Sequence, residues 1–249
     1  MTALLVDLGN TRWKLSRAHD ARLGRIEDGA HAGVPKLLTT CLSQYRQMVD
    51  AVWLASVAEP EITDSVVAIL RNVLALPVHQ VQSTDPMPDL VSGYRKPRQL
   101  GVDRLLAMVA ARAQSRQAFC VIDAGTAVTI DFVDSDGQHL GGFILPGVQL
   151  SRECLLRNTA IPHDSEVEDQ AVLGRDTATA VALGTRQAVA GLVERFLTGS
   201  AALFNGEEFV TFVTGGDGDA FLESLPAQCH RVDNMVLRGL AVLAAGGSR

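Results

Sequence analysis

The 249 residues are 47% hydrophobic, enough to bury a large core in one domain or in two lobes of ordinary size. The 28 acidic residues outnumber the 22 basic ones and leave a net charge of −6, opposite to the basic footprint of a nucleic-acid binder, so no nucleic-acid partner is expected. The opening MTALLVDLGN lacks the basic stretch, apolar run and cleavage site of a leader, and no uninterrupted apolar segment is long enough to span a bilayer; a cytoplasmic chain with no membrane partner is expected.

Ala3 to Asp7 is a short apolar run that ends in Leu8-Gly9-Asn10-Thr11, and Trp13 to Ala18 alternates apolar with polar, which predicts a β-hairpin. Pro35 to Val49 and Glu61 to Leu76 carry helical spacing on either side of a buried strand, Val52 to Val57. Ser83 to Gln99 holds Pro86, Pro88, Gly93 and Pro97 and predicts an extended connection. Val102 to Gln114 is then a helix. Ala118 to Ile122 is a strand entering Asp123-Ala124-Gly125-Thr126, with Val128 to Val133 as its hairpin partner and Leu140 to Leu145 as a third strand. Past Pro146-Gly147 come a helix, a polar loop with Pro162 and a long helix capped by Asp176. Phe209 to Thr214 is the last clear strand, followed by a short helix and a helix from Leu237 to Ala245. Cys41, Cys120, Cys154 and Cys229 are far apart with no CxxC pair, so they read as buried or idle thiols rather than a zinc site or a disulfide frame.

One internal similarity organises the chain: Leu5-Val6-Asp7-Leu8-Gly9-Asn10-Thr11 and Val121-Ile122-Asp123-Ala124-Gly125-Thr126-Ala127 each run an apolar strand into Asp-x-Gly. Two αβ lobes, divided here at residues 1–115 and 116–249, would then put two acidic turns on either side of one cleft.

A phosphate-binding hairpin needs backbone N–H groups, a glycine for close approach, and hydroxyl or amide donors, which Gly9, Asn10 and Thr11 supply. Asp7 repels a polyphosphate by itself, so its work there would be to hold Mg²⁺ directly or through water, with Lys14 neutralising phosphate charge. Taken alone the motif is also an ordinary Asn-bearing turn. The second turn repeats the logic with Thr126 as hydroxyl donor and Asp123 as a cation-holding carboxylate. A kinase further needs a carboxylate to orient the accepting hydroxyl and take its proton. Asp103, in Gly101-Val102-Asp103-Arg104 at a helix N-terminus that favours a charged carboxylate, suits that role, and it equally suits a helix cap. Arg104 beside it matches an acidic substrate bidentately. Thr214-Gly215-Gly216-Asp217 would let a base and ribose lie on bare backbone, or is a loose turn. The glycine spacing is not a Rossmann fingerprint, and no GxxxxGK[ST] is present.

In order along the chain, Asp7-x-Gly9-Asn10-Thr11, Tyr94-x-x-Pro97-x-x-Leu100-Gly101-x-Asp103-Arg104, Asp123-x-Gly125-Thr126-Ala127-x-Thr129-x-Asp131, Gly141-Gly142-x-Ile144-x-Pro146-Gly147 and Thr214-Gly215-Gly216-Asp217 resemble type III pantothenate kinase. The resemblance implies an α/β chain of two duplicated ribonuclease-H-like lobes of the actin-like ATPase fold, with mixed sheets flanked by helices. It implies transfer of the ATP γ-phosphate to the 4′-hydroxyl of pantothenate, the first step toward coenzyme A, by a homodimer needing Mg²⁺ and a monovalent cation, K⁺ or NH₄⁺. It assigns Asp7, Leu8, Gly9, Asn10, Thr11, Arg12, Trp13, Lys14, Thr126, Gly215, Gly216 and Asp217 to ATP. Tyr94, Gly101, Val102, Asp103, Arg104 and Thr177 go to pantothenate, Asp103 to the proton and Asp123 to the monovalent cation. The family carries Ala in place of Val102 and Asn in place of Asp176; an acid facing the pocket at 176 would weaken the case for Thr177. Two rivals stand beside this reading: a non-catalytic accessory protein on the same fold, and another actin-fold small-molecule kinase.

Overall fold

Alternation along the first strand sets up the first half of the molecule. The structure, a computed structural model, describes residues 1–30, 42–161, 167, 171–199, 202–204, 206–218 and 229–246. Strand β1 (Thr2–Leu8) sends Leu4, Val6 and Leu8 to one face and Ala3 and Leu5 to the other, as the period of two requires. Both faces are covered, which explains why the strand reads as a continuous apolar run. On one side Leu4, Val6 and Leu8 join Trp13, Leu15, Val52, Leu54 and the buried Val66, Leu70 and Leu74 of helix α1 (Pro60–Leu74). On the other, Ala3 and Leu5 join Val102 and Leu106 of α2 (Val102–Gln114) and Leu237, Leu240 and Ala241 of α5 (Met235–Gly246). A Cβ on Gly239 would lie 2.1 Å from the Leu106 carbonyl oxygen, so glycine permits the close crossing of α5 on α2.

The first sheet adds β2 (Arg12–His19), β3 (Arg22–Ala30), β4 (Ala51–Ser56) and β5 (Val78–Gln80) in the order β3-β2-β1-β4-β5. β2 and β3 pair antiparallel, β4 and β5 parallel. The second sheet holds β6 (Ala118–Ala124), β7 (Ala127–Val133), β8 (His139–Pro146), β9 (Phe209–Thr214) and β10 (Cys229–Arg231) in the order β10-β9-β6-β7-β8. Numbered within itself, each sheet reads 3-2-1-4-5, with the fourth strand parallel to the first and the fifth parallel to the fourth. The duplication inferred from the Asp-x-Gly repeat is therefore one of topology.

Helices α3 (Val148–Asn158) and α4 (Thr177–Gly199) lie between β8 and β9. The chain clusters into two compact units: one made of Met1–Arg116, Asp131–Gly141 and the residues from Asn234 onward, the other of Gln117–Ile130 and Gly142–Asp233. In the second unit Phe119, Ile122, Val128 and Val213 are fully or almost fully buried, and the Phe119 and Phe212 rings meet edge to face at 6.1 Å.

Several expectations need correcting. Of the helix expected over residues 35–49, residues 35–41 lie outside the described residues; Leu42 is helical, and from there the chain passes into a 3-10 turn at Ser43–Tyr45 and no further helix up to Val49. Gln47 adopts a left-handed φ of 66°, and the buried Tyr45 donates its hydroxyl to Glu27 at 2.7 Å. Strands β3, β5 and β10 were not expected: β3 is mostly exposed and polar, and the other two are three residues each. Pro162 and the short helix expected after Gly218 lie outside the described residues, as does Cys41. None of the other three cysteines is in a disulfide, and Cys120 is buried and Cys154 exposed.

Candidate active site

The Pro-rich connection is held in place by the tip of the β7–β8 hairpin. Val91 N donates to Gly137 O at 2.9 Å and His139 N to Val91 O at 2.9 Å. A Cβ on Gly93 would sit 1.9 Å from the His139 carbonyl oxygen, so only glycine allows this approach. The result places the Tyr94 ring parallel to the His139 imidazole, with centroids 5.7 Å apart and 14° between planes.

Helix α2 then brings Arg104 to the same point. Its Nε donates to Asp131 Oδ2 at 2.9 Å, its Nη2 to Asp131 Oδ1 at 2.6 Å and its Nη1 to the Tyr94 hydroxyl at 2.6 Å. Arg104 and Asp131 are 5% and 2% exposed, so this is a buried fork-on-fork pair, costly to break from either side. Burial alone disfavours the guanidinium charge; the hydrogen bond and charge of Asp131 outweigh it and raise the pKa. His139 Nε2 reaches Asp131 Oδ1 at 2.9 Å, and because an ionised carboxylate only accepts, the imidazole proton sits on Nε2.

Asp103 precedes Arg104 in the first turn of α2, where Gly101 occupies the cap position. Its Oδ1 accepts from Arg104 N at 2.8 Å. A Cβ on Gly101 would meet that same Oδ1 at 2.4 Å, so the glycine keeps open the space the carboxylate uses. The expected preference of the helix start for a charged carboxylate is outweighed by burial, which raises the pKa of this acid; the N–H and charge of Arg104 only partly offset it, and Asp131 adds to the rise.

In the same unit the β1–β2 ladder sets Asp7 directly opposite Lys14, whose Nζ donates to Asn234 Oδ1 at 3.0 Å. Gly9 N closes the turn on Arg12 O at 3.0 Å, and Asn10 and Thr11 are exposed at its tip. Leu8 and Trp13 point the other way: both side chains are in the core, and Gly29, across from Trp13 on β3, leaves room for the indole. Arg12 pairs with Asp28.

In the second unit Asp123, next to last in β6, lies opposite Thr214 of β9. Gly215, at φ 91°, lies against this turn so closely that a Cβ would be 2.3 Å from Ala124 O, and Asp217 N donates to the same oxygen at 3.0 Å. Gly147 approaches from β8, donating to Thr126 O at 3.0 Å. Asp176 caps α4 as expected, its Oδ1 accepting from Thr179 N at 2.8 Å. That hydrogen bond lowers its pKa and occupies the acid with the helix start. Thr177 lines a cavity of about 540 Å³ with Pro146, Ser151, Cys154, Leu155 and Thr185.

The structure therefore brings Tyr94, Gly101, Val102, Asp103 and Arg104 together, whereas Thr177 belongs to the other unit. Asp131 and His139 had no role assigned from sequence. An Asp within the apolar Val128, Ile130, Phe132, Val133 strand was the available signal, since a buried charge demands a partner.

Two sheets of 3-2-1-4-5 order, each opening on a strand that ends in Asp-x-Gly, define a protein of the actin-like ATPase fold. An activator of 2-hydroxyisocaproyl-CoA dehydratase from Clostridium difficile, solved with bound ADPNP, has that architecture at a TM-score of 0.57 and 9% identity, covering 100% of this chain and 96% of its own. Residues 3–198 match the type III pantothenate kinase family, and the chain belongs to it. Type III pantothenate kinases from Azoarcus sp. and Halorhodospira halophila are 36% and 34% identical to it, covering 97% and 95% of this chain and 90% and 95% of their own. Among the described residues no helix is long and apolar enough to cross a membrane.

Proposed function

We propose that this chain transfers the γ-phosphate of ATP to the 4′-hydroxyl of pantothenate, giving 4′-phosphopantothenate and ADP. The observation that carries the reading is the pairing, on one helix turn, of a half-buried carboxylate at Asp103 with a buried, clamped guanidinium at Arg104. The guanidinium would take the carboxylate of the acceptor, and Tyr94, Gly101 and Val102 are assigned to the acceptor with it; Thr177 is assigned to the same ligand on the family resemblance alone. Asp103 would orient the hydroxyl. Its oxygen bonds to the γ-phosphorus as the bond to the β–γ bridging oxygen breaks, and the hydroxyl proton passes to the Asp103 carboxylate.

ATP we assign to the hairpin Asp7 to Lys14, to Thr126 and to Gly215, Gly216 and Asp217; with Leu8 and Trp13 buried, those two contribute backbone only. No group of three or more His, Cys, Asp or Glu among the described residues could cage a metal. Mg²⁺ held by one carboxylate and the phosphates needs none, and half-buried Asp7 at the strand end fits that donor set, directly or through water. Bound there it would neutralise charge on the transferring phosphoryl group. Asp123, beside the backbone oxygens of its turn, offers the oxygen donors a monovalent cation such as K⁺ or NH₄⁺ takes.

We further take residues 1–115 and 116–249 as the two lobes in the linear sense, with the C-terminal helix returning to the first. A homodimer is supported by the apolar face of β8 and α3, where Phe143, Ile144, Leu150 and Leu155 are exposed and no α3 residue is buried. The cytoplasm, where ATP and free pantothenate meet, is the location we assign.

Purified protein with ATP, Mg²⁺, K⁺ and pantothenate should form ADP and run at the mass of two chains in light scattering. Intact nucleotide binding without turnover would turn the reading to a non-catalytic protein, preference for sugars to another kinase, and a single-chain mass would remove the dimer.

A further inference from the structure

Three of the five N–H groups of Arg104 are committed: Nε and one Nη2 hydrogen to Asp131, one Nη1 hydrogen to Tyr94. One hydrogen remains on each of Nη1 and Nη2, two donors left for a ligand carboxylate. Which edge of the guanidinium is left for a ligand is thus decided by what holds the opposite edge.

That holder is Asp131. Its Oδ2 accepts from Arg104 Nε, while its Oδ1 accepts from both Arg104 Nη2 and His139 Nε2. His139, 1% exposed, is itself fixed by stacking on Tyr94, and its Nδ1 has no hydrogen-bond partner. Among the described residues the imidazole's one polar contact is therefore to the carboxylate.

We propose that Asp131 is a positioning residue for acceptor recognition, oriented by His139, and that it selects carboxylate-bearing acceptors by clamping Arg104 with its terminal Nη1–Nη2 edge toward the substrate. Asp131 touches neither substrate nor phosphate; it acts through Arg104. The proposal rests on the reading of Arg104 as the partner of the acceptor's carboxylate.

The test is a selectivity ratio: kcat/KM for pantothenate divided by kcat/KM for its neutral amide analogue, both measured on one preparation. Such a ratio is independent of the fraction of active protein, so partial unfolding of a variant does not disturb it. Asp131→Asn places an NH₂ donor against the N–H groups of Arg104 or of Arg104 and His139, and should lower the ratio about tenfold, with the KM for ATP moved less than about twofold. His139→Phe keeps the stacked ring and leaves the Arg104–Asp131 pair intact, and should lower the ratio in the same direction by about threefold; this variant carries the test if Asp131→Asn does not fold.

Wild-type protein that does not favour the acid over the amide overturns the role of Arg104. A wild-type preference that both variants retain overturns the proposal while leaving Arg104 in place. Equal losses for acid and amide would make Asp131 and His139 structural only.

Discussion

At Asp7 the neighbouring strand places Lys14 directly opposite, and Asn234 holds the lysine's Nζ at 3.0 Å. At Asp123 the neighbouring strand offers Thr214, and the turn is closed in by the backbones of Gly215, Asp217 and Gly147. The first turn is equipped with a side-chain cation; the second is built by backbone packing. Sequence similarity between two turns therefore fixes the path of the chain but not the chemistry it presents. The proposed reading gives the ATP phosphates to the first, where Lys14 stands across from the acid. It gives a monovalent cation to the second.

The largest effect that tests this contrast is expected at the acids themselves. Asp7→Asn should lower kcat/KM for ATP by about a hundredfold and raise the Mg²⁺ needed for half-maximal rate, since the phosphates would lose the carboxylate side of their shared cation. Asp123→Asn should instead abolish the difference in rate between K⁺ and Na⁺ and leave the Mg²⁺ response unchanged. If both variants disturb the same ion's titration, the division between the turns is wrong.

Next come the glycines. Gly215→Ala must accommodate a left-handed φ and a Cβ 2.3 Å from Ala124 O, a backbone atom that cannot rotate away. A loss of about 2–3 kcal/mol in urea denaturation is expected. Gly9→Ala meets only Arg12 O, at 3.2 Å, and should cost less than about 1 kcal/mol. Comparable losses at both positions would mean that the two turns are supported alike.

What the sequence could and could not reveal follows the same division. The repeat at Asp7 and Asp123 was readable because each acid ends an apolar strand, and local pattern is all that requires. The matching 3-2-1-4-5 sheets were only half readable: β5 and β10 are three residues each, too short for any period to register, and polar β3 carries no apolar alternation. The return of α5 to the first unit is likewise invisible locally, since its packing on α2 depends on Gly239 meeting Leu106 from more than a hundred residues away. At the site, Asp103 and Arg104 stood out by adjacency at a helix start. Asp131 and His139 did not, because their meaning lies in a partner brought by tertiary structure, and the same is true of Asn234 for Lys14.

A third carboxylate sharpens the contrast with the smallest effect, one confined to pH. Burial raises the pKa of Asp103 over the opposing N–H and charge of Arg104. The native state therefore holds this proton more tightly than the unfolded chain, whose Asp titrates near about 3.9. Stability from this group is full below that value, falls as pH rises toward the raised native pKa, and stays lower above it. Asp103→Asn removes the titration, so its stability relative to wild type should climb through that window and then level off. Activity should run the other way: the acid must be ionised to accept a proton, so the acidic limb of the wild-type kcat profile should lie above the ordinary Asp range. Asp103→Asn should also lower turnover far more than it weakens ATP binding. A relative stability that stays flat with pH, together with a kcat limb in the ordinary Asp range, would show that Arg104 and the helix N-terminus govern this acid and that burial does not.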